Sequence, residues 1–554
     1  MKKEILLGNE AIVQGALEAG VQFVSTYPGT PSSEIGNVFS QIAKRPNGYP
    51  GVYFEFSTNE KVALEAAIGA SFSGLKCLVA MKDFGLNVCS DSLIPLLYTG
   101  TKGPMVIIVG DDPSCWSSAQ SEQNTRPFAY LAHIPILEPS DPQEAKDFTK
   151  LAFEISDRFD LPIMLRTTTR VAHQRMPVEL DQTPKTKNQN LTGEFIKDKK
   201  RFVTLPPRVL EMKAELLEKI EEVRNFAEKS KENKIIEKSK AKIGIITSGV
   251  SYLYVMEALK ELKLDLPVLK LAFFYPLLER KIKSFIKNKK KILVVEELEG
   301  FLEKEILGLA KELNCRLEIY GKNLLSVIGE LNQTKVALAI AKLTGKKLKI
   351  ENSLEIENWK LKIPARFPRF CAGCPHAFVI AAIKKAAPEN TIFGGDIGCY
   401  MLAGMPQYNL QDYLFSMGSS IGIGHGIKKS TNQKIIALIG DSTFFHAGIP
   451  ALINTVFNKS NPLIIVMDNR TTAMTGHQPH PGIGKTGMGE KTTEIKIEDI
   501  VSACGVKNIK VIDPINQKEL ENTIKEFLNK DEVSVIVARR ICVIAAKKNA
   551  KENE

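Results

Sequence analysis

No apolar run in these 554 residues comes near the ~20 that a membrane span needs. The apolar stretches, such as Pro104–Gly110 and Ile435–Gly440, have strand length instead. The N-terminus, Met1-Lys-Lys-Glu-Ile-Leu-Leu-Gly, lacks the apolar length of a signal peptide, and the reading is a cytoplasmic protein. A disulfide framework is missing too. The nine cysteines are odd in number and dispersed over a long chain, which points to reduced thiols. Only Cys371 and Cys374 stand in C-x-x-C spacing. No second ligand pair lies nearby in sequence except His376, so a structural or cofactor-lining role is favoured over a metal site. A net charge of +11 comes without a nucleic-acid module beside it. The lysine groups Lys281–Lys291 and Lys342–Lys349 alternate with apolar residues, as solvated faces do.

What is present is α/β patterning, in a chain too long for one core. Strand candidates at Val21–Tyr27, Val52–Phe56, Cys77–Met81, Met105–Val109, Ile134–Leu137 and Pro162–Arg166 alternate with helical stretches such as Glu10–Ala19 and Glu60–Phe72. That rhythm predicts a doubly wound parallel sheet over 1–180. Residues 181–241, rich in Lys, Glu, Asn and Gln, read as a charged linker with one helical arm near Val209–Glu228. A smaller α/β domain follows at 242–350, and a third α/β domain at 351–545. Its first residues, Glu351–Pro368, form a mixed segment, and its strands fall at Thr391–Phe393, Ile435–Ile439, Leu463–Met467, Lys510–Ile512 and Val533–Val537. The polar end, 546–554, reads as disordered.

The strongest chemical signal is in the third domain. The strand ending at Ile439 runs into Gly440-Asp441-Ser442-Thr443, and Asn469 ends the next strand, with Thr471 just beyond. Parallel α/β sheets bind ligands at these carboxyl ends. Mg²⁺ wants hard oxygens, typically a carboxylate or two plus phosphates. Asp441, the Asn469 amide oxygen and the Thr471 carbonyl supply such donors. The spacing resembles the thiamine diphosphate motif, Gly-Asp-Gly with a downstream Asn, except that Ser442 replaces the third Gly. Around it stand Cys374-Pro-His376, the Asp396-Ile397-Gly398-Cys399 turn and the Met417-Gly418 entry to a small-residue helix, all read as cofactor-lining. In that helix Gly422, Gly424, Gly426 and His425 have a plain alternative as tight packing and a core histidine.

Thiamine also needs a carboxylate opposite N1′ of its aminopyrimidine, where proton management generates the ylide. Glu60, at the start of an Ala/Gly-rich helix, is the candidate, with Glu65 as its substitute; the alternative for Glu60 is a helix cap.

Tyr27-Pro-Gly-Thr30-Pro31, Thr99-Gly-Thr-Lys-Gly, Asp111-Asp-Pro-Ser-Cys-Trp-Ser-Ser with Glu122-Gln-Asn-Thr-Arg126, and the blocks Gly440–Asn454 and Asp468–Gly482 carry a family resemblance. Together they resemble the large subunit of indolepyruvate:ferredoxin oxidoreductases, within the 2-oxoacid:ferredoxin oxidoreductases. The resemblance implies three α/β domains of thiamine-enzyme type: pyrimidine-binding, transketolase C-terminal-like and diphosphate-binding. It implies Glu60 at N1′, Asp441, Asn469 and Thr471 on Mg²⁺, Thr30 and Arg126 on the substrate's carboxylate and oxo group, and His477 or His480 in specificity or acid–base work. It further implies a small β subunit, coenzyme A and 2-oxo acid substrates, and a cofactor site built in a dimer of the large subunit within a hetero-oligomer.

The family's ferredoxin-like Cys runs are not matched after Arg540, so the expectation is that this chain binds no [4Fe–4S] cluster and that a separate ferredoxin or cluster-bearing protein takes the electrons. A non-oxidative decarboxylase and a catalytically silent assembly subunit are the alternatives.

Overall fold

The computed structural model describes residues 2–44, 51–181, 191–237, 239–313, 316–346 and 367–552. The expected mixed segment Glu351–Pro368 lies almost wholly outside the described residues. The chain divides into two compact units, residues 1–351 and 352–554.

In the first unit a ribbon pairs β1 (Lys2–Leu7) antiparallel with β8 (Arg175–Leu180). The main sheet holds β2 (Phe23–Thr26), β3 (Tyr53–Phe56), β4 (Cys77–Lys82), β5 (Met105–Asp111), β6 (Ile136–Leu137), β7 (Ile163–Thr168) and β12 (Phe273–Tyr275), in the order β12-β6-β7-β5-β4-β2-β3. All neighbours are parallel except β12 on β6. Every residue of β4, β5 and β7 is buried. Helices cover both faces of such a sheet, which is why these strands read as continuous apolar runs. From β2 the chain turns outward to β3, and from β4 it leaves in the opposite direction to β5. The switch point of the sheet therefore lies between the carboxyl ends of β2 and β4, the crevice where ligands enter open α/β sheets.

A second sheet in the same unit runs β14-β13-β10-β11-β9, from β9 (Lys234–Ile236), β10 (Ile243–Ser248), β11 (Val268–Leu271), β13 (Lys291–Val295) and β14 (Glu318–Tyr320). β9 pairs antiparallel with β11, and the remaining pairs are parallel. The 181–241 segment is thus not simply a linker. It supplies β9, and its helix Arg208–Lys229 buries Met212, Leu216, Ile220, Val223 and Ala227. That i, i+4 stripe is an amphipathic face docked on protein, which outweighs the segment's charged composition.

The second unit holds one all-parallel sheet, β15 (Ile392–Gly394), β16 (Ile435–Gly440), β17 (Leu463–Asp468), β19 (Ser534–Arg539) and β18 (Asn508–Ile512), in that spatial order. Apolar clusters fill both of its faces. Of the polar end that its composition suggests is disordered, the described residues through Glu552 belong to the helix Val543–Glu552. Ala546 donates its N–H to the Cys542 carbonyl, and Cys542 donates its own to Asn469, which anchors the helix beside the sheet.

Candidate active site

In the second unit, β16 and β17 run in parallel register with Gly440 opposite Met467, so Asp441 and Asn469 emerge side by side at the carboxyl end. Gly440 has to be glycine, since a Cβ there would stand 2.8 Å from the Tyr400 ring. Asp441 is buried, and its Oδ1 accepts the Ser442 N–H at 2.7 Å while its Oδ2 faces His480 Nε2 at 3.1 Å. The other His480 nitrogen, Nδ1, accepts the Gly482 N–H at 3.2 Å. With Nδ1 accepting, the Nε2 proton is the one directed at Asp441. Burial would raise the Asp441 carboxyl, but the electrostatic pull of His480 and the hydrogen bonds from His480 and Ser442 hold it below its ordinary range.

Asn469 Oδ1 accepts the Thr471 N–H at 3.2 Å. Asn469 Nδ2 lies 3.4 Å from His376 Nε2, leaving the buried His376 Nδ1 without a hydrogen-bond partner. Burial pushes the His376 pKa down to about 4, with the Asp441 charge opposing it, so the ring is neutral near pH 7. Ser442, which departs from the expected glycine, has a physical role: its Oγ accepts the Thr472 hydroxyl at 3.0 Å and ties the two metal-side turns together. Thr443 Oγ1 reaches the Ile397 carbonyl at 3.1 Å, so the Asp396–Cys399 turn belongs to the same cradle.

Asp396 itself is fully buried and accepts N–H groups from Ile397 (2.7 Å), Gly418 (2.9 Å) and Ser420 (3.1 Å). Its carboxyl occupies the N-terminus of the Ser419–Ser430 helix, where an anion is favoured. Burial nonetheless raises its pKa to about 6. Asp396 therefore positions the loop. Gly418 is held at φ +82°, with Ala447 2.7 Å from where a Cβ would sit, so only glycine lets Met417 enter the turn.

His477, expected in acid–base work, is half-buried at φ +66° with Nδ1 unpartnered, and nothing described ties it to Asp441. His480 holds that contact.

Sequence spacing also missed a thiol group. Cys374 and Cys399 each lie within electrostatic range of Cys371 and Cys542. Burial, and then the neighbouring thiols, push the Cys399 pKa up to about 12. The signal was invisible because three separate chain segments supply the four residues. Among the described residues, no three His, Cys, Asp or Glu side chains are close enough to hold a single metal ion.

In the first unit, Glu60 opens the Glu60–Phe72 helix, but Asn59 is its cap, accepting the Val62 N–H at 2.9 Å. The capping alternative for Glu60 is thereby removed. The Glu60 carboxyl is buried against Gly85, where a Cβ would come within 2.5 Å of its Cγ. Glu65 is exposed and accepts the Ser92 hydroxyl at 2.6 Å, which makes it a surface residue. Thr30 lies just past β2, half-buried, with its hydroxyl 3.5 Å from Ser33 Oγ.

Arg126 requires a correction. Its Nε and Nη2 donate to the two Glu138 oxygens at 2.7 Å each, and Nη2 donates to Ser248 at 3.0 Å. Nη1 reaches Glu296 at 3.2 Å and the Glu297 carbonyl at 3.4 Å. At 2% exposure the guanidinium has no free fork for a substrate carboxylate. It joins the two sheets of the first unit.

The family models and curated relatives place the chain in a class, the thiamine diphosphate enzymes acting on 2-oxo acids. Residues 396–538 match the thiamine pyrophosphate enzyme C-terminal TPP-binding domain. Residues 14–242 match the thiamine diphosphate-binding domain of pyruvate flavodoxin/ferredoxin oxidoreductases, and 233–362 the indolepyruvate oxidoreductase domain. The chain is 46% identical over 553 residues to indolepyruvate oxidoreductase subunit IorA of Methanothermobacter thermautotrophicus, covering 98% of this chain and 87% of that one. It is 43% identical to the IorA subunit of Thermococcus kodakarensis, covering 98% and 86%. A 2-oxoglutarate:ferredoxin oxidoreductase from Magnetococcus marinus shares 16% identity at a TM-score of 0.49, over 61% of this chain and 65% of that one. The chain belongs to the indolepyruvate oxidoreductase IorA family, and is the catalytic subunit of a thiamine-dependent oxidoreductase.

Proposed function

We propose that this subunit oxidatively decarboxylates an aryl 2-oxo acid, indolepyruvate-like, to its coenzyme A thioester, with ferredoxin as the electron acceptor. The observation that carries the reading is the Asp441–Asn469–Thr471 turn pair, held by His480 and His376, in a chain 42–46% identical to IorA subunits.

The donor set suits Mg²⁺ and a diphosphate: one carboxylate, one amide oxygen and one backbone carbonyl, all hard, with an unpartnered His376 Nδ1 nearby. Asp441, Asn469 and Thr471 would hold the ion, and Gly418 and the Asp396 turn would shape the cradle. Bound thiamine supplies the carbanion-stabilising chemistry. Glu60 would hold the proton at N1′, in a buried setting that excludes water from the carboxyl. His480 keeps Asp441 ionised and oriented by donating from Nε2.

The four thiols revise the electron route. A [4Fe–4S] cluster takes one thiolate per iron, and Cys371, Cys374, Cys399 and Cys542 supply that number within electrostatic range of one another. Such a cluster supplies one-electron transfer. A cluster there would run against the expectation of an iron-free chain and would favour oxidation over simple protonation to an aldehyde; the iron content decides it. A small partner subunit and a large-subunit dimer complete the proposed assembly.

The test purifies the chain anaerobically with its partner subunit and measures iron, bound thiamine and products from arylpyruvates with coenzyme A and ferredoxin. Acyl-coenzyme A and about four irons per chain are expected. Aldehyde as sole product with every partner present would select the lyase, and neither thiamine binding nor 2-oxo acid consumption would leave a silent subunit.

A further inference from the structure

With Arg126 engaged on every N–H, the substrate's carboxylate needs another cation. The crevice between the carboxyl ends of β2 and β4 contains one. Lys82 is the last residue of β4, and the chain just past β2 brings Gly29 and Thr30 against it: a Cβ on Gly29 would stand 2.7 Å from the Lys82 Cβ. The same β4 turn touches Glu60 through Gly85. Thr30, Lys82 and Glu60 thus converge at the switch point of one sheet.

Lys82 is buried but poorly paired. Its side chain is 11% exposed. Nζ has a 3.3 Å hydrogen bond to the Ser117 carbonyl and a 3.8 Å approach to Asp112 Oδ2, and it lies 5.2 Å from the Phe84 ring centroid. Asp112 is a weak counter-ion because its carboxylate is already occupied. It accepts the Ser117 N–H (2.8 Å), the Ser117 hydroxyl (2.9 Å), the Ser118 hydroxyl (2.7 Å) and the Thr169 hydroxyl (2.6 Å). An ammonium has three donors, and taking it out of water without acceptors for them is costly. Ser117 also donates its hydroxyl to the Thr30 carbonyl at 3.2 Å, so one loop closes over both residues.

We propose that Lys82, rather than Arg126, is the cation that receives the carboxylate of the 2-oxo acid, with the Thr30 hydroxyl beside it. This rests on the 2-oxo acid reading given above. Burial lowers the Lys82 pKa while the nearby acidic groups, Asp83, Asp112 and Asp111, oppose the shift, and an incoming carboxylate adds to that opposition and favours the ammonium. The flanking carboxyls select a monoanion over a doubly charged phosphate. Lys82 is a binding residue: the carboxylate's charge leaves as CO₂ forms, so its ion pair is stronger in the ground state than in the transition state.

The experiment uses the assembled holoenzyme with Lys82→Met and Lys82→Arg. Readouts are KM and kcat for an arylpyruvate, and inhibition constants for the matching arylpropionate and its neutral amide. In Lys82→Met, KM and the arylpropionate constant should rise roughly 10- to 100-fold, the scale of a lost charge-assisted hydrogen bond. In the same variant kcat should hold level or rise, and the amide constant, thiamine affinity and melting should match wild type. Lys82→Arg should recover part of the loss. Should Lys82→Met fail to fold, Lys82→Gln replaces it in the same comparison. An arylpropionate constant unmoved in the neutral variants, while wild type binds the acid, overturns the assignment. Failure of wild type itself to bind thiamine or consume any 2-oxo acid refutes the parent reading and takes this one with it.

Discussion

Replacing Arg126 with Met decides between a substrate contact and an internal strut. The side chain joins Glu138 on the first sheet's domain to Glu296 and Ser248 on the second. Breaking a buried ion pair by removing one partner typically costs about 3–5 kcal/mol, because the other charge is left uncompensated. Glu138 keeps Arg166 at 2.9 Å, so its share of the loss is partial. Glu296 keeps only the more distant Lys322 and the backbone N–H groups of Leu302 and Glu303. The lower end, about 3 kcal/mol, is therefore expected. The loss should depend on pH. Burial already raises the Glu296 pKa, against the pull of Arg126. Removing Arg126 raises it further, so the ionised carboxylate penalises folding above that pKa and the penalty fades as pH falls through it. Glu138 behaves oppositely: burial would raise its pKa, but Arg126 and Arg166 hold it at about 2, so its stabilisation in wild type persists down to very acid pH. Urea unfolding followed by circular dichroism should show the Arg126→Met deficit shrinking as pH falls from neutral toward the ordinary carboxylate range. A variant with the wild-type midpoint and a raised KM would refute the strut and restore Arg126 to the substrate.

Four further variants test the site. Asp441→Ala should abolish Mg²⁺-dependent thiamine diphosphate binding, measured by calorimetry, and His480→Ala should weaken it about tenfold by freeing the Asp441 carboxylate. Glu60→Gln should retain cofactor affinity while slowing proton exchange at the thiazolium C2 by about 10²- to 10⁴-fold; a wild-type exchange rate, read by NMR, would remove Glu60 from that role. Gly85→Ala puts a Cβ 2.5 Å from Glu60 Cγ. It should cost about 1–3 kcal/mol in a melt and reduce kcat together with C2 exchange, and a fully active Gly85→Ala would show that Glu60 need not be held there.

Legibility in the sequence followed range. The strands of both parallel cores appear as apolar runs because burial on two faces leaves no alternation to interpret, and β4 and β17 fall within a residue or two of their expected bounds. The Asp441–Asn469 pair was legible because adjacent parallel strands carry it, so one strand–helix–strand spacing sets the geometry. Asn59 as the cap was also local, and only the stronger chemical interest of Glu60 hid it.

By itself, then, the sequence determined the sheet architecture, the Asp441–Asn469 strand-end pairing and the family, all of which rest on short-range patterns. Only the tertiary structure decided where Arg126, Lys82 and the cysteines stand and what surrounds them. The partners of Arg126 lie 12 to 171 residues away, and a guanidinium's role depends on which acceptors reach it first. Cys542 comes within electrostatic range of Cys374 and Cys399 from far along the chain, so spacing left the C-x-x-C pair looking incomplete. Lys82 is one of many lysines until the fold places it, buried and under-paired, at the switch point of a parallel sheet. Charge is a property of the residue, but its availability depends on desolvation and on competing partners, and both are set by contacts remote in the chain.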